Sequence, residues 1–179
     1  MEMITDEQIK SIREYLVKRG YVKKCNGFFT KDDVEVDINE CDSIIEIVYY
    51  QIKHKDINIC ENDYIGLGEY GYHDVEDLDE TFTEFETEVK IIKFITSELN
   101  KMNILHSSHS GKFDIGNIEI NIIYTEQRKF SIEIGVRLSV TTSHPTLIDT
   151  IINQIQIIEC KCNMDDFISK FKSFYEIYK

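Results

Sequence analysis

The 179-residue chain has no tryptophan, no alanine and one proline, Pro145, and it carries 7 leucines against 30 isoleucines. No run approaches the roughly 18 apolar residues of a membrane-spanning helix. The start, MEMITDEQIK, has no apolar core of the kind a secretory signal needs. Positive charge is scarce as well: 20 Lys and Arg face 33 Asp and Glu, for a net charge of −13. That balance disfavours direct binding to nucleic-acid phosphates through a general basic field. The cysteines are Cys25, Cys41, Cys60, Cys160 and Cys162, an odd number with no pair of CxxC motifs. Reduced thiols in a cytoplasmic setting are therefore expected, rather than a disulfide framework. With 42% hydrophobic residues the chain is too apolar for general disorder. The excess of isoleucine and the absence of alanine follow an AT-rich codon bias, which fits a low-GC bacterium, one of its phages or another AT-rich virus.

The charge is not spread evenly. Between Lys55 and Lys90 there is no lysine or arginine, and the stretch holds twelve acids: Asp56, Glu61, Asp63, Glu69, Asp74, Glu76, Asp77, Asp79, Glu80, Glu84, Glu86 and Glu88. It carries −12 of the total −13, so the rest of the chain is close to neutral. Its first half also gathers Gly66, Gly68 and Gly71 with Tyr64, Tyr70 and Tyr72. Glycines permit left-handed turns, and tyrosines offer flat amphipathic contact area. Such a composition suits an ordered functional loop better than a Ser- or Pro-rich linker.

Motifs for chemistry are sparse. Gly66 to Gly71 spells GxGxxG, but Glu69 lies inside it and further acids follow, which would repel a phosphate. Ser110-Gly111-Lys112 lacks the upstream glycine and the leading strand of a P-loop. His106 and His109 have a chelating spacing but no obvious third ligand. Cys160-Lys161-Cys162 reads as two thiols near a strand end, and the acidic stretch lacks EF-hand spacing. His73 beside Asp74 is an acid–base pair by sequence adjacency alone. No nucleophile signature stands out, so no catalytic residue, cofactor or metal is expected.

Hydrophobic periodicity predicts the elements. ITDEQIKSIREYLVKRGY reads as a helix with Thr5 and Gln8 as a capping box, Ile9, Ile12 and Leu16 as its apolar stripe and Gly20 as its left-handed stop. Strands are expected at 27–30, 34–38 and 44–52. A second helix is expected from about Thr83 to Met102, with Phe85, Val89, Ile92, Ile95 and Leu99 on one face. Strands at 118–124 and 129–140 follow as a hairpin. The segment 147–158 is ambiguous, with β-branched density favouring a strand in its second half. MDDFISKFKSFYEIYK closes the chain as an amphipathic helix.

The halves correspond. Ile9, Lys10, Ile12, Leu16 and Lys18 match Ile92, Lys93, Ile95, Leu99 and Lys101 at a constant offset of 83, and Gly20 falls on Asn103. One residue later in register, Gly27 and Phe29 match Gly111 and Phe113, and VEVDI falls on IEINI. After three more, Ile45-Glu46-Ile47 falls on Ile132-Glu133-Ile134. The fold class expected is α+β: antiparallel sheet packed by two to three helices, from two related αβββ halves in a pseudo-twofold arrangement. The divisions expected are a first half at 1–55, an acidic Gly/Tyr-rich loop at 56–82 and a second αβββα half at 83–179, in one compact domain.

Localised charge without catalytic motifs points to a non-enzymatic binding protein that offers its acidic segment to a basic protein partner, for instance a nucleic-acid-binding enzyme. The partner-binding residues expected are Glu69, Tyr70, Tyr72, Asp74, Glu76, Asp77, Asp79, Glu80 and Glu84. With the AT-rich bias, the most concrete form is a phage or mobile-element inhibitor of anti-CRISPR or anti-restriction type, its acidic loop mimicking nucleic acid. No membrane partner is expected, and a homodimer is compatible with this reading. The element order α-β-β-β-α-β-β-α also resembles type III secretion chaperones, with 56–89 departing from their pattern. That resemblance implies an acidic chaperone that dimerises through sheet and helix and binds extended effector segments. A third alternative is a small metal-dependent hydrolase or nuclease using the His and acid residues of 61–80.

Overall fold

The first helix forms for reasons visible atom by atom. In the computed structural model, α1 spans Asp6–Lys18. The Gln8 N–H donates to the Thr5 hydroxyl at 3.2 Å, and the Thr5 N–H donates back to Gln8 Oε1 at 2.9 Å. This reciprocal box satisfies donors that the first turn leaves open. Ile9, Ile12 and Leu16 bury one stripe. At the other end Gly20 takes φ +94°, where a side chain would be strained. The turn lets the Gly20 N–H reach the Val17 carbonyl (3.0 Å) and the Tyr21 N–H reach that of Leu16 (2.9 Å), a Schellman stop.

The structure describes residues 5–25, 27–39, 44–53, 56–66, 75–109, 111–124, 129–139 and 154–178. They fall in two compact units, Met1–Lys90 and Ile91–Lys179. In the first, α1 leads into β1 (Val22–Lys23), β2 (Phe29–Lys31), β3 (Val34–Asn39), β4 (Ile44–Lys53) and β5 (Asp56–Gly66). These pair antiparallel in sequential order. Helix α2, Val75–Lys101, passes the boundary at Lys90. The second unit then builds β6 (Ser107–His109), β7 (Lys112–Ile115), β8 (Ile118–Tyr124), β9 (Phe130–Ser139) and β10 (Gln154–Cys162), again antiparallel in sequential order, and ends with α3 (Met164–Tyr178). Three helices with two antiparallel sheets make the fold α+β, as the periodicity predicts.

The inner strand pairings of the two sheets, β2–β3–β4 and β7–β8–β9, agree residue by residue. Phe29 faces Val36 and Thr30 faces Glu35; at matching positions Phe113 faces Ile120 and Asp114 faces Glu119. Val36, Asp37 and Ile38 face Ile47, Glu46 and Ile45, while Ile120, Asn121 and Ile122 face Ile134, Glu133 and Ile132. The turns between these strands place Asp32 (φ +53°) and Gly116 (φ +59°) in the left-handed region. Helix α2 repeats the α1 stop: Asn103 has φ +55°, its N–H bonds the Asn100 carbonyl (3.0 Å), and the Ile104 N–H bonds that of Leu99 (3.0 Å). What the units share is wiring and register; a common origin of the halves stays a proposal.

Alternation drives the cores. In the first unit Phe29, Val34, Val36, Ile45 and Ile47 are buried, as are Leu78, Phe82, Phe85 and Val89 of α2. In the second, Ile92, Ile95 and Leu99 of α2, Phe113, Ile118, Ile120, Ile132, Ile134 and Val136 of the sheet and Phe167 and Phe171 of α3 are buried.

Several expectations need correction. Among the described residues each unit carries five strands rather than three. The four extra strands gave little periodic signal: β1 has two residues, β6 reads Ser-Ser-His, β7 alternates over only four residues, and β5 alternates Ile57 and Ile59 with residues that disfavour strands, then runs into acids. Residues 56–66, expected as the start of a loop, are thus a strand. Helix α2 begins at Val75, not near Thr83, so 75–82 are helical too. Its apolar stripe extends back through Phe82 and Leu78, at helical spacing from Phe85, and first-turn acids suit a helix N-terminus. The remainder of the expected loop, 67–74, lies outside the described residues, as do the 125–128 hairpin turn and Pro145. In the ambiguous segment the strand is β10, running on to Cys162.

Candidate interaction surface

The acidic segment supplies β5 and the first half of α2, and two of its acids, Asp79 and Glu86, are engaged by an arginine of the same unit. Asp79, Thr83 and Glu86 recur at helical spacing along one side of α2. They meet Arg19, the C-cap of α1, whose side chain is 14% exposed. Its Nε and Nη2 grip the Glu86 carboxylate at 3.1 Å each. Nη2 also bonds the Thr83 hydroxyl (2.9 Å), while Nη1 bonds the Tyr15 hydroxyl (3.0 Å) and Asp79. All five guanidinium donors are used. Glu86, 16% exposed, further accepts from the Tyr21 hydroxyl and the Lys31 ammonium, both at 3.0 Å. Phe82 underlies the cluster, edge-on to Tyr15 (5.6 Å) and Tyr21 (5.7 Å), with the Arg19 guanidinium 5.7 Å from its ring centre.

The electrostatics follow. Burial acts to raise the Glu86 pKa, but the hydrogen bonds from Arg19, Lys31 and Tyr21 and the Arg19 charge outweigh it and hold the carboxyl below its ordinary value. Burial pushes the Tyr15 phenol up to about 12, and burial with the Glu86 charge raises Tyr21 further. For Arg19, burial works against the charge, and Glu86 more than restores it. A carboxylate saturated with donors and held ionised is poorly placed to shuttle protons near neutral pH. The cluster ties α1, β2 and α2 together.

The second unit keeps its charges on strand positions instead. Glu119 of β8, 7% exposed, accepts from Lys112 (3.1 Å), Asn121 (2.9 Å) and Arg137, and Arg137 also pairs with Asp114 (3.0 Å). Lys161 of β10 meets Glu133 of β9 at 2.6 Å, directly across the ladder. Burial would raise the Glu119 pKa, yet its hydrogen bonds and the Arg137 charge lower it.

The residues expected to bind a partner fall in four groups. Asp79 is engaged with Arg19 and Tyr15. Glu80 and Glu84 are half-buried on α2 and take part in side-chain interactions. Glu76 and Asp77 lie in the first turn of α2. Glu69, Tyr70, Tyr72 and Asp74 lie outside the described residues, and so does the His73–Asp74 pair. Sequence reading missed the Arg19–Glu86 pairing; the 79, 83, 86 spacing opposite an arginine at a helix stop was its available signal. His106 Nδ1 lies 3.0 Å from the Ile104 carbonyl at the entry to β6, and Cys162 is buried at the end of β10. Among the described residues no group of three or more His, Cys, Asp or Glu could hold a metal ion, and no helix is long and apolar enough to cross a membrane. Comparison with protein-family models, curated proteins and solved structures finds no match.

Proposed function

We propose that the chain is a binding protein that presents the acidic segment 56–89 to a basic protein partner. The observation that carries this reading is twelve acids with no lysine or arginine over one continuous stretch, in a chain otherwise near neutral. A field of one sign steers a cationic surface toward it and rejects like-charged competitors. Its most concrete form is a phage or mobile-element inhibitor of a basic nucleic-acid-acting host protein, with the acidic segment occupying a phosphate-binding groove; the AT-rich codon bias supports that setting.

The test compares the wild-type chain with a variant in which Glu69, Asp74, Glu76 and Asp77 become their amides. Asp79 is left intact because its carboxylate helps hold Arg19. Both chains are used to capture proteins from the lysate of a low-GC bacterium at low and high ionic strength. A basic nucleic-acid-binding protein retained at low salt by the wild type, and lost at high salt or with the variant, is the expected result. Capture indifferent to both changes overturns the proposal.

A further inference from the structure

Sheet order leaves β5 at an edge: β4 pairs with one side of it, and among the described residues no strand pairs with the other. At eleven residues, Asp56–Gly66, it is a long edge. In an antiparallel pair alternate backbone N–H and C=O groups point away from the partner, so such an edge is a template for one more strand. Proteins commonly disarm edges of this length with charges. Here the charge has one sign: Asp56, Glu61 and Asp63, with no cation in the strand. Like charges stacked edge to edge repel, so the strand is guarded against a second copy of itself. The same charges leave the backbone ladder open to a cationic strand. The edge strand at the matching place in the second unit, β10, carries one acid and one base, Glu159 and Lys161, and has no such selectivity.

We propose that β5 is the docking edge for an extended, lysine- or arginine-bearing segment of the basic partner, which adds to the first sheet as its sixth strand. This rests on the acidic-segment reading and specifies how that segment holds its partner: main-chain hydrogen bonds supply the attachment and the acids supply the selection.

The experiment titrates the full chain with a short peptide of alternating lysine and valine, and with the same peptide N-methylated at alternate residues along one edge. The two have equal charge, but the second lacks the donors that a ladder requires. The unmodified peptide is expected to bind in a salt-sensitive way and to slow amide exchange in β5 but not in β10. Methylation is expected to weaken binding by roughly tenfold or more, as losing several backbone hydrogen bonds implies. A Glu61→Gln, Asp63→Asn variant is expected to bind several-fold more weakly, with its exchange pattern in α1 and β2 unchanged. Salt-sensitive binding that ignores methylation overturns strand addition and leaves acidic docking standing. Absence of any salt-sensitive binding overturns both.

Discussion

The two units follow the same backbone plan and solve charge in opposite ways. Each begins from a helix with a Schellman stop and, among the described residues, continues as a five-strand antiparallel meander whose inner pairs share one register. In the first, the half-buried ions join the helices to the sheet, with Arg19 and Lys31 converging on Glu86. In the second they run across strands, from Glu119 to Lys112 and Arg137 and from Glu133 to Lys161. Left-handed stops and strand alternation fix the wiring, because a one-residue slip would turn every apolar side chain out of the core. Ion pairs answer to no such period. They can differ between equivalent frameworks, and that is where the acidic segment sets the first unit apart.

The comparison breaks most visibly at its paired aromatics. Phe29 and Phe113 hold equivalent places, both buried and both facing a buried β-branched partner. Phe29→Ala and Phe113→Ala are each expected to cost about 3–5 kcal/mol, as large-to-small changes in packed cores do. Amide exchange resolved by unit checks this; a loss near zero in either would show that the two positions are not equivalent.

Glu86→Ala comes next. It leaves Arg19 and Lys31 without their shared acceptor in a half-buried place, at a cost of about 2–4 kcal/mol in chemical denaturation. The charge also dates the effect in pH. Because the folded Glu86 pKa is lowered, its contribution is complete above the unfolded value, about 4.3, and fades as pH falls through the lower folded value. Tyr15 works in the opposite sense. With its pKa raised to about 12, its contribution is complete below about 10 and fades as pH rises toward 12. Stability followed from pH 7 to 3 is expected to fall less steeply in Glu86→Gln than in wild type, and an equal slope would contradict the assigned role.

The smallest effect tests the helix stops. Gly20 has φ +94° with the nearest foreign atom 4.0 Å from an added Cβ, so Gly20→Ala meets backbone strain and not a clash. It is expected to cost about 1 kcal/mol. Asn103→Gly, at the equivalent stop, is expected to stay within roughly 0.5 kcal/mol, since Asn already tolerates that conformation. Thermal denaturation of the pair would sharpen the parallel, and a neutral Gly20→Ala would undo it.

How much of this the sequence disclosed depends on the range of the signal. The capping box at Thr5 and Gln8, the stripe of Ile9, Ile12 and Leu16, strands β3, β4, β8 and β9, and the closing helix were legible because each rests on local chemistry or periodicity. Strand β5 and the first turns of α2 were not. Acids at Glu61 and Asp63 mask strand alternation, and the helical stripe through Leu78 and Phe82 is hidden among Asp and Glu. The Arg19–Glu86 cluster joins residues 67 positions apart in sequence, and the helical spacing of Asp79, Thr83 and Glu86 does not by itself name the arginine they meet. Of the candidate surface, the sequence disclosed the sign and position of the charge; which acids were already engaged required the fold.

The guanidinium of Arg19 neutralises part of the acidic segment from within. A basic partner of the kind proposed would not meet the full formal charge of the acidic segment. Asp79 and Glu86 are already shared with Arg19 and Lys31, so the acids counted along the chain and the field presented to the outside are different quantities. Salt titrations of binding would register the second, and a slope shallower than the acid count suggests is what this internal neutralisation produces.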